Sequence, residues 1–187
     1  MTKADIREIV AACLQQKRVC RVYLRYDINY WYYIPLIVGD KLFLGTEEDD
    51  FILDGYTVRR FKDVTKAQFR DDMCEKILKD EGVLDNIVTP EVDLSDWEAV
   101  FRSLQKRNKN IIIQRESLNK RECEYVIGRI EKVYKQHAYF RPFDADGIWE
   151  PEPYRIPYTE VTSITFAARY VDVFSKYLGE LPDNFGK

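Results

Sequence analysis

From Lys3 to Gln16 the apolar residues Ile6, Ile9, Val10, Cys13 and Leu14 recur at helical spacing. That predicts an opening amphipathic helix with Thr2 as its N-cap. From Val19 the period drops to two. Val19, Arg21, Tyr23 and Arg25 alternate with Cys20, Val22, Leu24 and Tyr26, as in a strand. The aromatic and aliphatic run Tyr30 to Val38 predicts a second strand, with Pro35 marking an edge or a bend. Gly39-Asp40-Lys41 is a turn and Leu42-Phe43-Leu44 a third strand. Glu47-Glu48-Asp49-Asp50 reads as an acidic loop, Phe51-Ile52-Leu53 as strand, and Asp54-Gly55 as a hairpin turn into Tyr56 to Phe61. Asp63 to Ala67 follows, then a helix from about Gln68 to Lys79, closed by Gly82.

Val83 to Glu91, with Asp85-Asn86 and Pro90, reads as a linker. Leu94-Ser95-Asp96 then caps a helix carrying Trp97, Val100, Phe101 and Leu104 on one face. Strands are predicted at Ile111–Gln114, Glu122–Val133, Ala138–Phe143, Tyr154–Pro157 and Val161–Ala167, with Gly128 as a bend or bulge. Tyr170, Val173, Phe174, Tyr177 and Leu178 share a last helical face, Gly179 stops it, and the final eight residues read as a tail.

The two halves echo each other. Arg60 to Phe69 matches Pro157 to Phe166, pairing Phe61 with Tyr158, Asp63 with Glu160, Val64 with Val161 and Phe69 with Phe166. Upstream, Leu14 to Arg18 matches Leu104 to Asn108. The pattern predicts one module used twice: 1–82, a linker at 83–92, and a second copy at 93–187. The register between copies slips from 90 to 97 residues, which puts about seven extra residues in the loop Asp144–Pro153.

The phrase Asp50 to Thr65, with its Asp54-Gly55-Tyr56 step and Asp63-Val64-Thr65 ending, resembles a signature of uncharacterised bacterial proteins with tandem Sm-like (SH3-like) barrels. The resemblance implies a mostly β, α+β chain of two five-stranded barrels with flanking helices. In Sm proteins RNA is held by a loop with Asp and Asn and by an Arg-Gly step. Here Gly39-Asp40-Lys41 lacks the Asn and Arg59-Arg60 lacks the Gly, so neither uridine-rich RNA binding nor ring assembly carries over.

Charge narrows the function. Of 29 basic and 32 acidic residues, 14 and 15 lie in 1–82, so neither half is a basic module and nucleic acid is disfavoured. Arg21, Arg25, Arg59, Arg60 and Lys62 remain the residues that would meet phosphates in a nucleic-acid-binding alternative. The four cysteines have no C-x-x-C spacing and His137 is alone, which argues against metal, cofactor and disulfides. The acidic run Glu47–Asp50 lacks calcium-loop spacing and reads as solvated. No Gly-rich phosphate loop or nucleophile motif points to an enzyme, and a hydrolase using His137 and the acidic loop has no positive support. No apolar run suits a membrane and no leader is read, so a cytoplasmic protein is expected. The aromatic strand leaves Trp31 and Tyr33 on one face, and Trp149 lies in a Pro-rich loop. These three are the candidate contacts of a protein or peptide partner. The leading expectation is therefore a non-enzymatic interaction module, and it admits an oligomer.

Overall fold

The computed structural model describes residues 1–118 and 122–186. Helix α1 (Lys3–Gln15) starts where expected: the Thr2 hydroxyl accepts from the Asp5 N–H, and the Asp5 carboxylate accepts from the Thr2 N–H. This reciprocal cap contributes about 1 kcal/mol. Strands β1 (Cys20–Leu24), β2 (Tyr30–Val38), β3 (Leu42–Asp49), β4 (Ile52–Arg60) and β5 (Val64–Phe69) follow, with one 3-10 turn at Phe61–Asp63 and then helix α2 (Met73–Asp80). The second half comprises α3 (Trp97–Arg107), β6 (Ile111–Ser117), β7 (Glu122–Val133), β8 (His137–Pro142), β9 (Tyr154–Pro157), β10 (Ser163–Phe166) and α4 (Arg169–Phe174).

All the pairings are antiparallel, and the strands form one sheet in the order β5-β1-β2-β3-β4-β10-β6-β7-β8-β9. Numbered within its own half, each set of five runs fifth, first, second, third, fourth. The sheet stays open. Among the described residues no ladder joins β4 to β5 or β9 to β10, so the closed barrels expected from the sequence do not form. Instead β4 takes β10 as its neighbour, with Arg59 opposite Ser163 and Tyr56 opposite Phe166. The ladder slips register beside Leu24, Pro35, Gly45 and Ile130, bending the strands around their cores.

The cores follow from this layout. Ile6, Val10 and Cys13 of α1 bury against Cys20, Val22, Phe43, Phe61 and Val64 in the first half. A larger core crosses the midpoint of the chain: Leu42, Leu44 and Val58 of the first half pack with Val100, Phe101, Leu104, Ile113, Phe140 and Ile164 of the second. Val92 and Leu94 belong to it, and Leu84 packs with Val19, Ile34 and Leu78, so the expected linker is held against both halves. On the other sheet face Val171, Phe174 and Leu178 cover Ile112, Ile127 and Phe143.

Four local expectations need correction. The chain reverses at Asp50-Phe51, both at positive φ, and Asp54-Gly55 lies inside β4. There Gly55, at φ +61°, lets α4 approach, and Asp54 Oδ1 accepts from the Arg169 N–H at 2.6 Å. The acidic run is the end of β3 rather than a solvated loop, because Glu48 is buried in an ion pair with Arg70. Helix α2 starts at Met73, since Gln68 and Phe69 belong to β5. The tail folds back: Asn184 donates to the Pro151 carbonyl at 3.2 Å and the Gly186 N–H to Glu131 at 3.3 Å.

Candidate functional site: a groove along the seam

The β4–β10 ladder is the seam between the halves. On one of its faces Val58, Ile164, Tyr56 and Phe166 enter the shared core. On the other face the contacts are polar. Arg59 Nη1 donates to Glu116 Oε2 at 2.9 Å and Arg59 Nε to the Tyr33 hydroxyl at 3.3 Å. Tyr33 and Thr57 both donate to Glu47 Oε1 at 3.0 Å, and the Thr57 and Thr165 hydroxyls lie 2.8 Å apart. At the end of β4, Arg60 pairs with Asp63, and it also donates to the Tyr26 hydroxyl at 3.2 Å and to the Thr159 carbonyl at 3.3 Å. Two of the arginines that could have met phosphates, Arg59 and Arg60, are thus spent on the seam, 5% and 7% exposed. Burial pushes the Tyr33 phenol up, so it stays a neutral donor.

Three adjoining depressions follow this seam. The first, about 410 Å³, is lined by Trp31, Asp27, Leu118 and Cys123; the second, about 580 Å³, by Arg25, Arg115, Glu124 and Glu160. Tyr26, Glu116 and Ser117 are common to both. The third, about 520 Å³, joins the second through Arg60, Lys62 and Thr159 and is floored by Phe61, Trp97 and Tyr158. Basic and acidic side chains line each of the three. Arg115, for example, is held by Glu124 at 2.6 Å and Glu160 at 2.9 Å.

The third depression carries the most basic rim. Lys3 donates to the Lys62 carbonyl at 3.0 Å and to the Val64 carbonyl, while Arg7 stands over the Phe61 ring and reaches the Asp40 carbonyl. Burial and nearby Arg25 lower the Lys3 pKa, outweighing Asp63. The ammonium groups of Lys41, Lys62 and Lys135 have no partner among the described residues and stand exposed around the aromatic floor. Asp96 caps α3 by accepting from the Ala99 N–H at 2.9 Å, which sets Trp97 in the wall. Tyr158 donates to the Tyr134 carbonyl at 2.8 Å, and burial raises its pKa.

The candidates read from sequence divide cleanly. Trp31, Arg25, Arg59, Arg60 and Lys62 all come to the groove, Trp31 being 44% exposed with Nε1 donating to Asp27 at 2.8 Å. Tyr33 does not offer a contact surface. It shares the face of Trp31 but lies two residues further in, where β3 covers β2, and is fully buried. Arg21 points away, stacked over Tyr30 and 3.5 Å from Asp72. Trp149 sits on Phe143 and donates to the Gly179 carbonyl at 3.1 Å, which pins its loop to the molecule. Lys41, Trp97, Arg115 and Lys135 escaped sequence reasoning, because they meet only when the halves join. One signal was present: Phe61 and Tyr158, which the sequence echo between the halves sets against each other, floor the same depression.

Among the described residues no group of three His, Cys, Asp or Glu side chains could hold a metal ion, and no helix is long and apolar enough to cross a membrane. Comparison with protein-family models, curated proteins and solved structures finds no match for this chain.

Proposed function

We propose that the protein is a non-enzymatic binding module made of two copies of one five-stranded Sm-like unit, and that its seam groove takes an extended peptide. The shared strand order of the halves and the matched Phe61 and Tyr158 segments support the duplication. The carrying observation for the ligand is the groove itself: three depressions joined in succession by shared lining residues, charges of both signs along the walls, and an aromatic floor at one end. A chain-like ligand fills such a shape. A uniform polyanion would meet Glu116, Glu124 and Glu160 midway, whereas a peptide can match both signs. Phe61, Trp97 and Tyr158 are each less than a tenth exposed. They offer a socket for one apolar side chain rather than open ring faces for stacking bases. Acidic residues of the peptide would meet Lys41, Lys62 and Lys135.

Panning a displayed random-peptide library on the intact protein tests this. The enriched peptides should carry one large apolar residue flanked by Asp or Glu, and binding should weaken at least tenfold in Lys41→Glu/Lys62→Glu. Enrichment of basic peptides, or equal binding to that variant, would refute the reading. Salt-sensitive binding of labelled single-stranded RNA, lost in the same variant, would replace the peptide with nucleic acid.

A further inference from the structure

A second cleft, of about 640 Å³, lies away from the seam, where the ends of α3 and α4 meet β6 and β7. Four cations line it, Arg107, Lys109, Arg129 and Lys176, against one acid, Asp172. None of the four is in an ion pair among the described residues. Three of them have an ordinary explanation, since cations at a helix C-terminus offset its carbonyl dipoles. Arg129 does not, because it comes from β7.

Arg129 is the exception to a rule that the other described arginines keep when they are buried. Among the described residues, the other arginines that are wholly or partly buried each face a carboxylate within 4 Å: Arg18 with Glu75, Arg21 with Asp72, Arg59 with Glu116, Arg60 with Asp63, Arg70 with Glu48, Arg115 with Glu160 and Arg141 with Glu131. Among the described residues the side chain of Arg129 has one hydrogen-bond partner, Asn110, whose Oδ1 accepts from Nε at 3.1 Å. Asn110 is itself 3% exposed and locked by donating to Ser175 Oγ at 2.8 Å. The guanidinium is therefore held by one edge, by Asn110 just before β6, which is itself tied to Ser175 at the C-cap of α4; its two terminal nitrogens are unpartnered among the described residues. Burial with no opposing carboxylate lowers its pKa.

We infer that this cleft is an anion site built for a phosphate group, with Arg129 as the bidentate anchor and Arg107, Lys109 and Lys176 supplying the surrounding charge. A guanidinium fork matches two phosphate oxygens, and the pair gains strength in a partly desolvated cleft. Leu104, Ile111 and Phe166 form the apolar floor, and the volume suits a compact phosphomonoester as well as free phosphate.

Calorimetric titration of the intact protein with inorganic phosphate and with phenyl phosphate tests the site. One saturable event is expected, at least tenfold weaker in Arg129→Gln and partly restored in Arg129→Lys. Tighter binding of phenyl phosphate would identify a phosphomonoester as the ligand class, and equal binding would identify free phosphate. No saturable binding of either probe, or binding unchanged in Arg129→Gln, would overturn the inference. Should that variant fold poorly, the amide and Arg129 Nε–H resonances of the unaltered protein give the same answer. Phosphate must shift Arg129, Asn110 and Arg107 together, and shifts confined to other surfaces would overturn the assignment.

Discussion

Buried charges at the seam are expensive to isolate. Arg59 and Glu116 are 2.9 Å apart with side chains 6% and 7% exposed. Glu116→Gln removes the charge that compensates the guanidinium, and the expected cost is about 3 kcal/mol, toward the lower end for a broken buried pair because the amide still accepts a hydrogen bond. The double change Arg59→Met/Glu116→Leu should cost clearly less than that single one. Urea midpoints decide it, and additive losses would mean that the two residues do not act as a pair. Glu75 gives a pH signature. Burial alone would raise its pKa, but the Arg18 fork at 2.8 Å and Lys79 outweigh this and hold it below the usual 4.5. The folded-state value lies under the unfolded one, so the stabilisation is complete above about pH 4.5 and fades as pH falls through the lowered value. The stability gap between the protein and Glu75→Gln should therefore close on acidification, and a gap constant down to pH 2 would contradict the assignment.

At the scale of elements, patterns within a dozen residues were legible and long-range pairings were not. The helical spacing of Ile6, Val10 and Cys13 and the Thr2 cap placed α1, and the alternation from Val19 placed β1. Asp54-Gly55 looked like a turn because it is the usual local hairpin signal. Its role here is to receive α4, which starts 115 residues later in the chain. The acidic run looked solvated because Arg70, the partner of Glu48, is 22 residues away. Gly128 was read as a bend, and the structure gives a sharper reason for it. A Cβ there would sit 1.9 Å from the Arg141 carbonyl oxygen and 2.6 Å from Pro142 Cα, because Pro142 of β8 is the ladder partner directly opposite Gly128. Gly128→Ala should cost about 3 kcal/mol, lowering the melting temperature by roughly 6–12 °C for a chain of this size. An unchanged melting temperature would show that the strands can part without penalty.

For the whole molecule, the decisive event is the pairing of β4 with β10. It joins the two halves into one sheet, shares a core across the midpoint, and creates a groove that neither half contains alone. This is why the sequence yielded Trp31, Arg25 and Lys62 as separate hints and missed Trp97, Lys41 and Lys135: the site is a product of docking, not of any one segment. The groove account makes a claim about location that amide resonance mapping can test with a panned peptide. Shifts should appear on both flanks at once, at 39–41 and 60–63 in the first half and at 96–98 and 158–160 in the second. Shifts confined to one half, or to the surface around α4, would contradict it.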